Sequence, residues 1–275
     1  MQTHTVRGGD DVTLHVEETG PADGPAILFL HGYSQSRQSW RPQFESPLAD
    51  DYRLIAPDNR GHGESEKPPG TEPYQDSALW AADVDAILTE LDVENVVLVG
   101  WSYASLIALD YLAEYGTERV TGVNLVGSVS GMGTEAAAEL LGPKYVELFP
   151  ELTSRDAEVS VDALETFLRR SVHEPLPLDE HYFMLGFNVV VPPHVRDGMR
   201  SRTLSHRDTL RDLDVPVLVT HGAEDLVMVE ETARVHADLV PDSRTSIYPD
   251  VGHMPFWEAP ERYNRELRAF VEECR

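Results

Sequence analysis

What most restricts the fold is a set of short runs in which nearly every residue is apolar. "AILFL" (Ala26–Leu30), "YRLIAPD" (Tyr52–Asp58), "NVVLVG" (Asn95–Gly100), "VTGVNLVG" (Val120–Gly127) and "VPVLVTHG" (Val215–Gly222) share this character, and "RTSIYP" (Arg244–Pro249), more polar at its start, is read with them. A strand with one wet face alternates apolar and polar residues, so runs without alternation predict strands covered on both faces. One earlier segment, "DVTLHVEE" (Asp11–Glu18), does alternate and predicts a half-exposed strand. Between the runs the apolar residues shift to helical spacing: Trp80, Val84, Ile87, Leu88 and Leu91, then Leu106, Ala108, Leu109 and Leu112. Thr232 to Val240 and Ala259 to Val271 predict two more helices. Doubly covered strands alternating with helices specify an α/β architecture, a parallel sheet between helical layers.

The alternation stops between Gly131 and Arg211. That stretch holds helical pieces carrying Leu140, Leu141, Leu148, Phe167, Leu168, Phe183 and Leu185, and the proline-marked "VVVPPHVRDGM". We read residues 1–130 and 212–275 as the core and 131–211 as a helical cap. The cap follows one core strand and precedes the next, which places it over the carboxyl edge of the sheet, where open α/β folds bind ligands.

Charge narrows the partners. The 275 residues include 48 acidic and 22 basic side chains, a formal net charge of −26, and the only lysines are Lys67 and Lys144. Two readings fit: an arginine-rich composition from a GC-rich genome, or a surface suited to molar salt, where screening makes dense like charge tolerable. Either surface argues against nucleic acid and anionic membranes as partners and favours a small neutral substrate. No run of about 18 apolar residues suggests a transmembrane helix. "MQTHTVRGGDDVTLHVEETG" has neither the basic start nor the apolar stretch of a secretory signal, and Cys274 has no second cysteine to pair with, so a cytoplasmic location is expected. There is no H-E-x-x-H, cysteine pair, histidine cluster or phosphate-binding glycine loop, so neither metal nor cofactor is expected. No pattern specifies an oligomeric state.

"VVLVGWSYASLIALDYL" (Val96–Leu112) places Ser102 between an apolar run and a helix. A nucleophile needs an exposed oxygen, a base within reach and donors for a developing oxyanion. A sharp strand-to-helix turn provides the first if its neighbours are small. Gly100 meets that need before the serine, and Ala104 stands where G-x-S-x-G has its second glycine. A serine at a helix start also serves as a cap, and this motif alone leaves both roles open. The candidate base is His253, in the loop after the last strand ("IYPDVGHMPFW"). The candidate acid is Asp225, in the loop after the preceding strand ("VLVTHGAEDLVMV"), with Glu224 and Asp250 as rivals. Trp101, beside the serine, is the tryptophan best placed to line a substrate pocket.

The order serine, aspartate, histidine, each after a separate strand, resembles the α/β-hydrolase fold superfamily. So do "FLHGYSQSRQSW", "APDNRGHGESEKP", "VLVGWSYAS" and the pair "VTHGAEDLVMV" and "VGHMPFWEAPERYN", which together run from residue 29 to 264. Within that superfamily the chain is similar to the esterase and cofactor-free haloperoxidase branch. The resemblance implies a mostly parallel eight-stranded sheet flanked by helices, with a helical lid. It implies Ser102 as nucleophile, Asp225 as acid, His253 as base, and the backbone N–H groups of Tyr33 and Tyr103 as the oxyanion hole. His31 would pack beneath its loop, and Asp58, Arg60 and His62 would pin a loop beside the site. The expected reaction is hydrolysis of a neutral carboxylic ester through an acyl-enzyme on Ser102. The same triad serves perhydrolysis with hydrogen peroxide, and lactone, amide or carbon–carbon cleavage. Some members of the fold act instead as small-ligand receptors or regulators.

Overall fold

In the computed structural model, which describes residues 1–240 and 242–275, the apolar runs become neighbouring strands of one sheet. Its strands are β1 (Gln2–Arg7), β2 (Thr13–Thr19), β3 (Ala26–Leu30), β4 (Arg53–Asp58), β5 (Val96–Trp101), β6 (Val120–Val126), β7 (Val217–Gly222) and β8 (Arg244–Tyr248). Their spatial order is β1-β2-β4-β3-β5-β6-β7-β8. β2 pairs antiparallel with both β1 and β4, and every other pairing is parallel. The eight-stranded, mostly parallel sheet implied by the resemblance is therefore the one present. β1 has no counterpart among the sequence-based strands. It is an edge strand in which only Val6 is buried, so it leaves little apolar signal to read.

Side-chain alternation along the central strands divides the core into two. Leu28, Leu98, Val123 and Val219 face one side, where they meet helices α1 (Ser77–Glu90), α2 (Ala104–Tyr115) and, further on, α6 (Glu231–Leu239). Ile27, Phe29, Val97, Val99 and Leu218 face the other, against Tyr263, Leu267 and Phe270 of α7 (Pro260–Glu273). Burial on both faces is the reason the central runs carry no polar alternation; β8, at the edge of the sheet, departs from that expectation, with Tyr248 its one buried residue.

No described residue between 131 and 211 joins this sheet. The segment folds into short turns and three longer helices, α3 (Ala157–Arg170), α4 (Leu178–Val189) and α5 (Pro193–Arg200). Its two ends close on each other through a two-residue antiparallel ladder, Gly131–Met132 against Leu204–Ser205, which the helical reading of this region did not contain. A buried charge cluster pins the same neck to α2. Arg202 donates to both carboxylate oxygens of Asp110, at 2.7 and 2.8 Å, and His206 Nε2 lies 2.9 Å from the same carboxylate. Neither the Asp110 nor the Arg202 side chain is exposed. Removing one member of such a pair leaves the other charge buried without compensation. We expect Asp110→Ala to lower the free energy of unfolding by about 3–5 kcal/mol in urea titration. A loss below about 1 kcal/mol, the level of a surface ion pair, would contradict an anchoring role for the cluster.

Candidate active site

β5 delivers the chain to the carboxyl edge of the sheet, and Ser102 is the first residue beyond it. Its φ of +55° lies in the left-handed region, which costs a non-glycine residue energy and persists only where the surroundings fix it. Two hydrogen bonds do so: the Ser102 N–H donates to Val126 O (2.8 Å), and its carbonyl accepts from Ser105 N–H (3.0 Å). The start of α2 presses so closely on β5 that a Cβ at Gly100 would lie 2.9 Å from Ala104 O and 3.0 Å from Ser105 Cα. Gly100 is thus required, whereas Ala104 fits fully buried in the core. Tyr103 is the N-cap of α2 and no side chain caps it, so the Ser102 hydroxyl is not spent as a helix cap.

His253 stands in the loop between β8 and α7. Its backbone N–H donates to Ser171 O and its carbonyl accepts from Trp101 Nε1, both at 2.9 Å. The Glu258 carboxylate accepts from the amides on either side, Gly252 and Met254, and from His173 N–H. Gly127 closes the ring's other side: at φ +47°, a Cβ there would lie 2.9 Å from His253 Nδ1. Nδ1 is 2.6 Å from Asp225 Oδ2. A carboxylate only accepts, so this bond assigns the proton to Nδ1 and leaves a lone pair on Nε2. Nε2 is buried and bonds to no group among the described residues, Ser102 included.

Asp225 is anchored by two further bonds to Oδ1, from the amides of Val227 (2.7 Å) and Met228 (2.9 Å). Burial pushes its carboxyl up. The charge and hydrogen bond of His253, followed by His221 and the Met228 amide, outweigh this and hold it below the usual carboxylate value. His221, a second imidazole with Nε2 3.6 Å from Asp225 Oδ2, carried no motif in the sequence. The rival acids Glu224 and Asp250 are both exposed.

The loop after β3 completes the group. A Cβ on Gly32 would lie 3.2 Å from Ser102 Cβ, so this loop rests directly on the serine. The amides of Tyr33 and Tyr103 donate to no group among the described residues. Their phenols reach the cap instead: Tyr33 OH donates to Arg196 O (3.3 Å) and Tyr103 OH to Met199 O (3.1 Å), both in α5. His31 lies beneath the loop, accepting from Asn59 N–H at Nε2 and bonding Gly32 O through Nδ1, both at 3.0 Å. Asp58 pairs with Arg37, Arg60 with Asp83, and the His62 ring packs on His31 at 4.9 Å.

A cavity of about 410 Å³ opens above Ser102, lined at its base by Tyr33 and Tyr103 and elsewhere mostly by the 131–211 segment, including Met132, Leu141, Tyr145 and Phe149. Trp101 does not line it. Its indole is buried on the opposite side with Trp40 and Phe256, because a strand residue adjacent to the turn points to the other face of the sheet. The pocket role expected of Trp101 is corrected accordingly.

A model of the alpha/beta hydrolase fold family matches residues 25–260 of this chain. A non-heme chloroperoxidase from Streptomyces lividans is 29% identical over 98% of this chain and 99% of its own. A bifunctional esterase/perhydrolase from Acinetobacter calcoaceticus is 28% identical over 95% and 97%. Among solved structures, an esterase from Rhodococcus sp. ECU1013 superposes with a TM-score of 0.94 at 34% identity, covering 100% of both chains.

Two outcomes follow from this geometry. We expect Gly127→Ala to displace the His253 ring and, with His253 as the base expected from the sequence, a misplacement near 1 Å to lower hydrolytic turnover roughly a hundredfold; unchanged turnover in a stopped-flow or steady-state assay would contradict this. The second concerns acid. Burial, the largest cause in each case, holds His31, His62 and His236 down at about 3. Unfolded histidine titrates near 6.5, so below that pH the unfolded chain binds protons that the folded chain excludes. Stability is therefore full above pH 6.5 and falls on acidification, by up to about 1.4 kcal/mol per pH unit for each histidine, until pH nears 3. The lowered Asp225 acts in the same direction at the acid end. Urea midpoints at pH 7.5, 6 and 5 check the sign, and a midpoint that rose with acid would refute it.

Proposed function

The chain belongs to the alpha/beta hydrolase fold family and is a hydrolase, and on that premise we propose that it cleaves carboxylic esters through an acyl-enzyme on Ser102. One observation carries the proposal. His253 presents a buried, partnerless Nε2 lone pair while Asp225 holds its other nitrogen, in a site whose strained serine opens onto an apolar cavity.

Ser102 Oγ attacks the ester carbonyl as His253 Nε2 takes its proton. Asp225 stabilises the imidazolium and keeps the ring in the reactive tautomer. The oxyanion is received by the N–H groups of Tyr33 and Tyr103, each worth roughly 3–4 kcal/mol where such donors have been removed. The tetrahedral adduct collapses, and the alcohol departs with the proton from His253. Water then attacks the acyl group by the same base, returning Ser102 and a carboxylic acid. The serine–histidine hydrogen bond forms as substrate fills the cavity, as is common where catalytic contacts are open in the free enzyme. An uncharged ester group suits both the apolar lining and a net charge of −26.

The relatives favour a second use of the same groups, since one is named a chloroperoxidase and another an esterase/perhydrolase. There hydrogen peroxide replaces water at the acyl-enzyme, giving a peracid and free Ser102. A panel of p-nitrophenyl and alkyl esters, with and without peroxide, tests both. Ser102→Ala should lower kcat about 10⁴-fold or more; retention of wild-type turnover would overturn the proposal. Peracid at the uncatalysed level would dismiss the second use.

A further inference from the structure

The cavity above Ser102 contains one cation that the proposed ester chemistry does not use. Arg200, the last residue of α5, is half-buried and lines the cavity with Ser102, Tyr33 and Tyr145. A guanidinium stays charged and offers five donors in a planar fork. Arg200 spends Nη1 on Phe149 O (2.5 Å), and its Cζ lies 3.6 Å over the centroid of the Phe149 ring. Stacking and hydrogen bond hold the group against one wall.

No carboxylate among the described residues lies within 4.0 Å of it. Glu135, on the same wall, is exposed and outside that distance. The deeper arginines are treated differently. Arg37, Arg60 and Arg202 each face a carboxylate, and Arg196 gives its donors to Leu152 O, Val191 O and Ser160 Oγ. In a chain with 48 acidic residues, a cation in an apolar cavity with most of its fork unused stands out. Beside it on the cavity wall, the Tyr145 hydroxyl makes no hydrogen bond among the described residues, and the charge of Arg200 reaches this phenol and that of Tyr33.

We propose that Arg200 and the Tyr145 hydroxyl bind a carboxylate at the far end of the substrate. The substrate class is then the half-ester: an uncharged ester at Ser102 and a free carboxylate remote from it. This rests on the ester-hydrolase reading and departs from the wholly neutral substrate expected from net charge. A carboxylate matches the guanidinium fork, and such charge-assisted bonds are about twice as strong as neutral ones. The surface field opposes an anion's approach, but salt screens exposed charges over about 10 Å at 0.1 M and acts much less on a pair enclosed in the cavity. Half-ester turnover should therefore gain from added salt more than neutral-ester turnover does.

The test compares monomethyl esters of glutaric, adipic and suberic acids with methyl pentanoate, hexanoate and octanoate, using the full chain in molar potassium chloride. At the best length, kcat/KM for the half-ester exceeds that of its neutral partner by about tenfold or more, chiefly through KM. Arg200→Met brings that ratio to one or below, and Arg200→Lys keeps part of it, because charge remains without the fork. Neutral esters preferred at every length, or a ratio unchanged in Arg200→Met, would overturn the proposal. Should Arg200→Met show no folding transition, competitive inhibition of the wild type decides: alkanoates must inhibit more strongly than alkanols of equal length. Ester turnover that survives Ser102→Ala overturns the ester-hydrolase reading itself, whereas Ser102-dependent turnover without half-ester preference overturns only this one.

Discussion

The close approach of α2 to the end of β5 is the constraint from which the site follows. It admits no side chain at Gly100 and forces Ser102 into the left-handed region. A serine so placed projects above the carboxyl edge rather than into either core. The other parts of the site are built by contact with this turn. Gly32 brings the loop after β3 against the serine's Cβ, and Gly127 after β6 lets the His253 ring lie down. Trp101 ties the turn to the His253 loop through its indole N–H. Three glycines are therefore fixed by what approaches them, and each approach brings one proposed catalytic part into register.

The polar ground beneath the site is satisfied in detail, and this keeps those parts still. Asp225 is held by two amides besides His253, and Glu258 gathers the amides around the histidine. His31 is locked between Gly32 O and the Asn59 amide. The partnerless Nε2 of His253 is one of several such buried atoms, His62 Nε2 and His236 Nε2 among them, but only His253 hydrogen-bonds a carboxylate through its other ring nitrogen. A ring oriented in that way suits a proposed base awaiting a proton.

The cap is coupled to the site more tightly than an appended lid. Tyr33 and Tyr103, whose amides face the proposed oxyanion, send their phenols to carbonyls of α5. The Asp110–Arg202–His206 cluster fastens the end of the same segment to α2. α5 thus contacts both tyrosines whose amides form the proposed oxyanion site and supplies Arg200 to the cavity wall.

Much of this was legible in the chain itself. Unbroken apolar runs determined a sheet buried on both faces, and helical spacing determined the layers covering it, because burial forces periodicity into sequence. The loops that hold Ser102, Asp225 and His253 followed from the same reasoning, since a parallel sheet returns every post-strand loop to one edge. Where burial is slight the signal vanished, as at β1. Side-chain direction was also beyond it: Trp101, adjacent to the serine, points into the opposite core, and nothing in the neighbouring letters says so. Asp225 was preferred over Glu224 and Asp250 from the sequence, and the structure adds the reason: it is buried against the His253 imidazole, whereas both rivals are exposed. The two-residue ladder at the neck and the place of Arg200 on the cavity wall come from segments far apart in the chain. The sequence by itself determined the sheet and the edge at which the loops of Ser102, Asp225 and His253 gather, because burial writes local periodicity; the chemistry expected there came from the resemblance of its motifs. Only the tertiary structure decided which residues surround the substrate, because such contacts depend on how the cap packs, and packing leaves no period in the sequence.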